Sequence, residues 1–197
     1  MKYGRSALIG AVLCCIGAQG AFAATRSVQL SKVVLDPKIP AASQHIKVGT
    51  ICLFSSKPLD FGASERTINY ERFERPFSAV MQKRGFNAIA KSSNLFDDGD
   101  NATKPDFLIG ATLNPKSIDI CDSINGIKGT VVVSVEWQIY DRTRQEVVEK
   151  LITRGTGQLE KFANDGLTKM IDDGFAASLT ALIDQGVLEK YLGPPAP

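Results

Sequence analysis

Alternation of apolar and polar residues is clearest between Gly129 and Gly157. From Thr130 to Tyr140 the odd positions are apolar and the even positions are mostly polar, which is typical of a strand with one buried face. A short polar turn, Asp141 to Gln145, leads into a return strand from Glu146 to Thr156. Charged residues interrupt the return strand, so we expect it nearer the sheet edge. The pattern predicts a long β-hairpin over about 129–157.

The two faces of this hairpin predict different roles. The apolar face, Val131 to Ile139, is expected to be committed to the core, with Trp137 as a core anchor. On the return strand, Val147, Leu151 and Thr153 share one face with Glu149. The opposite face of the first strand and the turn stay free for a partner, and the candidate binding residues there are Ser134, Glu136, Gln138, Tyr140, Arg142 and Arg144.

Two stretches have helical periodicity. The first contains Pro76, so this helix either starts or bends there, and Gly85 is expected to end it. The second is predicted over 162–185, with Asn164 or Asp165 as its cap and Gly186 as its end. Their apolar stripes are Tyr70, Phe73, Phe77, Val80 and Met81 in the first, and Leu167, Ile171, Phe175, Leu179 and Leu182 in the second.

Shorter apolar runs predict the remaining strands. They are a leading strand at 27–35, a first central strand at 45–54, a short strand at 86–91 and a central strand at 106–113. Residues 114–129 are expected to be a break that in part extends the last of these. Strand–helix–strand order favours a parallel crossover. The predicted fold class is α+β: a single domain with a mixed four- to five-stranded sheet, the long β-hairpin, and two helices packed on it.

The amino terminus reads as a secretory leader. Lys2 and Arg5 precede an uncharged apolar run, and Ala21-Phe22-Ala23 has the small-x-small pattern of a cleavage site. A lipoprotein leader is the alternative, but Leu13 and Cys14 stand where a small residue should precede a lipidated cysteine. The predicted divisions are a signal peptide at 1–23, an extended segment at 24–44, a single α/β domain at 45–192 and a frayed tail at 193–197. The expected location is the periplasm, with secretion beyond it as the alternative, and no transmembrane segment is expected in the mature chain.

Charge and cysteine content follow from that export. Removing Lys2 and Arg5 lowers the formal net charge from +2 to 0, and no long basic run remains, which argues against a nucleic-acid partner. The mature chain keeps Cys52 and Cys121, an even number in an exported protein, so we expect a disulfide between them. Two separate buried thiols are the alternative.

Candidate chemistry is sparse. His45 is the single histidine and is expected to be structural, and no G-x-S-x-G elbow or glycine-rich phosphate loop is visible. The acidic stretch 97–101 suggests calcium, although a solvated turn fits its composition better. No catalytic residue, metal or cofactor is assigned. A carboxylate-based hydrolase would need two of the following to converge: Glu71, Glu74, Glu136, Asp141 and Glu146.

One part of the sequence resembles a group of known domains. DFLIGATL at 106–113, followed by VEWQIYDRTRQEVVEKLITRGTG at 135–157, resembles small α/β domains of bacterial envelope accessory proteins. These include the curli-secretion lipoprotein, the lipoprotein activators of penicillin-binding proteins and the amino-terminal domain of TolB. Similar hairpins precede trypsin-like domains in some exported proteins, but this chain has no such domain. The resemblance implies a binding or assembly role and carries over no catalytic residue, and the missing lipobox departs from many of these proteins.

Together these patterns predict a non-enzymatic periplasmic or envelope accessory protein. It would bind an envelope protein partner or assemble with itself, so a homo-oligomer is compatible with the sequence. The alternatives are a small exported hydrolase using paired carboxylates and a periplasmic module that binds a small molecule or glycan.

Overall fold

A mixed sheet with helices on one side forms the protein. The computed structural model describes residues 26–36, 51–52, 70–90 and 104–194. The predicted α+β class and the helices packed on a mixed sheet are confirmed, with a short third helix in addition. The elements are β1 (Val28–Leu35), β2 (Ile51–Cys52), α1 (Tyr70–Lys83), β3 (Phe107–Ser123), β4 (Gly126–Asp141), β5 (Glu146–Ala163), α2 (Gly166–Asp184) and α3 (Val187–Leu192).

The strand order is β1-β3-β4-β5, with β2 also pairing with β3. β1 and β2 run parallel to β3, so the predicted parallel crossover is confirmed. β3, β4 and β5 form an antiparallel meander. The predicted hairpin is therefore present as β4 and β5, and it is longer than the pattern indicated. β5 lies at the end of the strand order, as the charges on it predicted.

Three strand predictions need correction. The described part of the expected central strand at 45–54, Ile51–Cys52, follows β1 along the same edge of β3 and is not central. Within the expected strand at 86–91, Ala88 makes one isolated bridge to Val28. The expected break at 114–129 is mostly strand: β3 continues to Ser123, and a bulge next to Pro115 accommodates the missing proline N–H.

Apolar side chains from the sheet and the helices meet on one sheet face. Trp137 is fully buried and its ring lies 5.2 Å from that of Phe175, which confirms its role as a core anchor. Phe73 of α1 packs on Phe175 at 4.8 Å. α1 runs continuously through Pro76, so the helix does not start there. The large fully buried side chains include Phe73, Phe77 and Met81 of α1 and Leu30, Phe107, Ile109, Leu113, Ile118 and Ile139 of the strands.

α2 lies unusually close to β5. A Cβ added to Gly155 would overlap the carbonyl oxygen of Gly174, and one added to Gly157 would overlap that of Met170. Helix backbone and strand backbone therefore touch, which only glycine permits. α2 begins at Gly166, later than predicted, because β5 continues to Ala163. α3 (Val187–Leu192) forms the end of the predicted domain and follows Gly186, whose φ of 71° is the left-handed conformation that ends a helix. Most of the tail expected to fray, 195–197, lies outside the described residues.

Candidate functional site: the uncovered sheet face and the adjoining groove

The sheet face opposite the helices carries no helix in the described part of the chain. We call it the uncovered face. It alternates with the buried rows of β3, β4 and β5, so its residues are partly exposed. Four of the six predicted binding residues, Ser134, Glu136, Gln138 and Tyr140, lie in one row along β4 on this face. Ser134 is only 6% exposed, so the row offers a partner mainly its other three members.

The strands beside β4 complete the uncovered face. Glu136 lies between Thr112 of β3 and Ile152 of β5, and Gln138 lies between Gly110 and Lys150. The Gln138 amide donates to the Glu136 carboxylate at 3.1 Å, which orients both side chains along the row. Open space above Gly110, where an added Cβ meets no atom within 4 Å, leaves Gln138 accessible from one side.

Exposed apolar side chains flank this polar row. Ile152 is 63% exposed and Val147 is 42% exposed. The sequence pattern placed Val147 on the same strand face as Glu149, and this is wrong. A register shift in β5 pairs Val147 with Tyr140 and Glu149 with Ile139, so the bulge moves Val147 to the uncovered face.

A groove of about 720 Å³ adjoins the uncovered face at the β4–β5 turn. The turn supplies Arg144, and its neighbour Arg142 donates its backbone N–H to the carbonyl of Asp106 at 3.1 Å. The other walls come from the two ends of the described chain. The lining residues are Arg26, Asp141, Arg144, Glu146, Val147, Val148, Lys190, Tyr191, Leu192 and Gly193.

Charges in and beside the groove are mostly paired. Asp141 accepts hydrogen bonds from the backbone N–H groups of Thr143 and Arg144, at 2.8 and 3.1 Å, and Arg144 Nε lies 3.6 Å from its other oxygen. This holds the turn in place. Lys190 and the Tyr191 hydroxyl both donate to Glu149 Oε2, at 3.3 and 2.9 Å. The Tyr191 bond first, and Lys190 second, hold the pKa of Glu149 below its ordinary value.

Among the described side chains, the carboxylates that a hydrolase would need lie on different parts of the molecule. Glu74 is on α1, on the helical side of the sheet, whereas Glu136 is on the uncovered face. Asp141 and Glu146 are register partners at the hairpin end, but Asp141 is engaged in the turn. Within the described ranges, no group of three side chains of the metal-binding types converges.

Of the other residues singled out in the sequence, the two cysteines lie within the described strands and most of the rest lie outside the described residues. Cys52 and Cys121 are register partners in the β2–β3 pairing, which is the spacing a disulfide needs, and the bond itself stays a prediction. His45 and the acidic stretch 97–101 lie outside the described residues, as do the leader and Glu71 apart from its helical backbone. No helix in the described ranges is long and apolar enough to cross a membrane.

Sequence reasoning missed Arg26, Lys190 and Tyr191. Arg26 is far from Lys190 and Tyr191 in sequence, and they meet because α3 packs beside β1 and β3. The Arg26 backbone N–H donates to the Leu192 carbonyl at 3.1 Å, and the Phe107 and Tyr191 rings are 6.2 Å apart. No local spacing signals such a meeting. Ile152 could have been found, since it shares a strand face with Lys150 and Arg154.

Known proteins resemble this chain in structure rather than in sequence. No family model and no curated protein matches the chain. Protein XCC0632 of Xanthomonas campestris is 8% identical with a TM-score of 0.44, over 84% of this chain and 87% of its own. The PelC dodecamer of Paraburkholderia phytofirmans is 12% identical with a TM-score of 0.39, over 79% of this chain and 86% of its own. A minor lipoprotein of Acinetobacter baumannii is 11% identical with a TM-score of 0.39, over 87% of this chain and 98% of its own. Bacterial lipoproteins are among the similar structures. The specific envelope families that the sequence resembles stay predictions.

Proposed function

We propose that this chain is a non-enzymatic accessory protein of the bacterial envelope that binds a protein partner through its uncovered face. One observation carries the proposal. Ile152 and Val147 are 63% and 42% exposed on strands of a well-packed sheet, beside the hydrogen-bonding row of Glu136, Gln138 and Tyr140. Protein interfaces combine apolar and aromatic anchors with a polar rim in this way.

A protein fits this surface better than a small molecule does. Small ligands are usually held in concave sites that enclose most of their surface. The uncovered face is instead the open side of a sheet, and its exposed groups extend across three adjacent strands. The strands below it are fixed by the buried core, so the surface is formed before a partner arrives.

The predicted leader assigns the compartment. A reporter active only outside the cytoplasm, fused to residues 1–30, is expected to be active, and mass spectrometry of the exported protein is expected to give Ala24 as its first residue. An inactive fusion would contradict export. An intact or lipidated leader would replace the periplasmic proposal by a membrane-anchored one.

Site-specific crosslinking tests the proposed surface. A photo-crosslinking amino acid at Gln138 is expected to capture a specific envelope protein in cells, whereas the same probe at Lys169 is expected to capture none. Lys169 is the matched control because it is exposed on α2, on the other side of the sheet.

A substitution then separates binding from folding. Ile152→Lys is expected to weaken binding of the purified, identified partner by about tenfold or more, because it places a charge in an apolar contact. Its unfolding midpoint is expected to stay within error of the wild type, since Ile152 is largely exposed. Equal capture from both probe positions, or unchanged binding by the variant, would contradict the proposal.

The groove favours a second candidate, a site for a small acidic ligand such as a glycan with a carboxylate. Arg144 reaches into it with a side chain that is 65% exposed, and Arg26 and Lys190 line it. Calorimetric titration with glucuronic acid is expected to give a binding heat that glucose does not give. Arg144→Gln is expected to remove that heat. If the wild type gives no binding heat with glucuronic acid, the groove does not bind acidic ligands of this class.

A further inference from the structure

One row of the uncovered face has a lysine on each outer strand. Lys32 of β1 is the register partner of Gly110 of β3. Gly110 is the partner of Gln138 on β4, and Gln138 is the partner of Lys150 on β5. We call these four residues the lysine row. Register partners lie side by side on one face of a sheet, so the lysine row crosses four strands.

The lysine row contains a notch above Gly110. Gly110 has no side chain, and a Cβ added there meets no atom within 4 Å. The Cα atoms of the two lysines are about 14 Å apart, since three strand spacings separate them. A lysine side chain is a flexible stem that ends in an ammonium group, so Lys32 and Lys150 can both turn towards a group in the notch.

Cations around the notch lack a counter-charge, whereas the carboxylates have hydrogen-bond partners. Three exposed cations of the uncovered face form no ion pair within the described part of the chain: Lys32, Lys150 and Arg154. Glu136 accepts a hydrogen bond from the Gln138 amide at 3.1 Å, and Asp36 accepts one from the Asn114 amide at 2.7 Å. The surface around the notch therefore favours an anionic group from outside.

We infer that the protein partner proposed above contacts this surface through an acidic side chain, an aspartate or a glutamate, which lies in the notch above Gly110. This inference rests on the proposed function and names the chemistry of the partner. The ammonium groups of Lys32 and Lys150 both attract a carboxylate at this position. The Gln138 amide nitrogen has two N–H groups and donates one to Glu136, so the other can donate to the same carboxylate.

An apolar contact continues the same surface. Along β5, Ile152 lies between Lys150 and Arg154 on the uncovered face, and it is 63% exposed. A matching partner surface therefore carries acidic side chains next to an apolar one. Charge complementarity of this kind fixes how two proteins are oriented and excludes partners of the wrong charge.

Two other occupants fit these charges less well. A second copy would use the same patch on both subunits and would bring two sets of the three cations together. An anionic membrane would attract the lysines but repel the carboxylate of Glu136, which lies on the same face beside the lysine row. A protein can place acidic side chains over the cations and leave Glu136 unopposed.

Carbodiimide crosslinking and charge reversal test this inference. Carbodiimide joins an amine directly to a carboxylate, so it is expected to link Lys32 or Lys150 to an aspartate or glutamate of the purified partner captured at Gln138. The double variant Lys32→Glu, Lys150→Glu is expected to bind that partner about tenfold or more weakly. Lys161→Glu is the matched control, because Lys161 is also exposed on β5 but lies away from the notch, and it is expected to bind like the wild type.

A third variant tests the notch itself. Gly110→Gln fills the notch with an uncharged side chain, so it is expected to weaken binding of the partner by about tenfold. The fold should tolerate the substitution, since the added Cβ meets no neighbouring atom. The circular dichroism spectrum and the unfolding midpoint check that all of these variants are folded.

Exchanging the charges gives the decisive result. Replacing the crosslinked carboxylate of the partner by lysine is expected to weaken binding to the wild type and to restore binding to the double variant. A double variant that binds like the wild type, crosslinks confined to other lysines, or an exchange that restores nothing would each overturn this inference and leave the proposed function standing.

Two further measurements identify the other occupants. Wild-type binding to phosphatidylglycerol vesicles that the double variant loses would overturn the inference in favour of a membrane. Wild-type dimers in sedimentation that the double variant dissociates would overturn it in favour of a second copy. If the probe at Gln138 captures no protein, the proposed function fails and this inference fails with it.

Discussion

Thr153 makes three polar contacts inside the core. Its hydroxyl accepts a hydrogen bond from the Trp137 indole N–H at 2.7 Å and lies 2.6 Å from the Ser178 hydroxyl. It also donates to the Ser178 carbonyl at 2.8 Å. All three residues are buried, so water cannot replace a lost bond. This hydroxyl links β4, β5 and α2 at one point.

Thr153→Val should therefore destabilise the protein although it preserves shape. The buried indole N–H would lose its acceptor, at a cost of about 1–3 kcal/mol. Urea unfolding followed by tryptophan fluorescence measures this. Thr156→Val on the same strand is the matched control, because Thr156 is exposed, and it should change the free energy of unfolding little. Equal effects at both positions would contradict a role for the network.

Asp106 ties the start of β3 to the start of β1. The Ser27 backbone N–H and hydroxyl donate to Asp106 Oδ2 at 2.7 and 2.8 Å, and the Asp106 N–H donates back to the hydroxyl at 3.1 Å. The Ser27 backbone bond first, then its hydroxyl bond, lower the pKa of Asp106. A carboxyl whose pKa is lower in the folded state contributes stability above its unfolded pKa and loses it as pH falls through the folded pKa.

Asp106→Asn should accordingly be less stable than the wild type at neutral pH by about 0.5 kcal/mol, since bonds to a charged acceptor become bonds to a neutral one and solvent screens this exposed carboxylate. The difference should shrink as pH falls below the ordinary range of an aspartate. Denaturant unfolding across pH checks both points, with the exposed Glu146→Gln as control. A difference that grows in acid would refute the assigned sign.

At the scale of elements, the contact between β5 and α2 depends on two glycines. Gly155→Ala would press a methyl group into the Gly174 carbonyl and the Ser178 N–H, and we expect a loss of about 1–3 kcal/mol from overpacking. Gly110→Ala is the control, because its added Cβ meets nothing within 4 Å; it should be neutral or stabilising by about 0.5 kcal/mol. Calorimetric melting of both variants decides this, and similar melting temperatures would contradict the close packing.

Elements with strong periodicity could be predicted from the sequence. The alternation at 131–139 predicted β4 and its buried face, and the stripe of Phe73, Phe77 and Met81 predicted α1 despite Pro76. The other strand boundaries and faces could not be predicted, because they depend on pairing with strands distant in sequence. The bulge at Pro115 keeps β3 in register with β4 through a stretch that reads as a break, and a second bulge in β5 turns Val147 to the other face.

At the scale of the molecule, the row of candidate residues on β4 could be predicted from the sequence, whereas the groove beside it could not. Alternation alone indicated that Glu136, Gln138 and Tyr140 share a face, because strand geometry is local. The groove was not predictable, since Arg26 and Lys190 come together only through the parallel crossover and the docking of α3. Burial of Ser134 likewise depends on its neighbours across the sheet.

The disulfide prediction also concerns the whole chain. Cys52 and Cys121 are register partners, and a bond between them would constrain a loop of about 70 residues, worth up to about 4 kcal/mol. Non-reducing peptide mass spectrometry of the exported protein should identify the linked pair, and dithiothreitol should lower the unfolding midpoint. Cys121→Ser should be as unstable as the reduced wild type and insensitive to dithiothreitol. Free thiols at both positions would contradict the prediction.

The parallel pairing of β1 with β3 has a consequence for the order in which the chain folds. Ser27 and Asp106 are 79 residues apart, whereas β3, β4 and β5 follow one another through short turns. The meander can form quickly from local contacts, but β1 must close a long loop before it gains a partner. If the predicted leader directs export, β1 would leave the membrane first and be incorporated late. The predicted cleavage site would then be accessible to signal peptidase before the domain has folded.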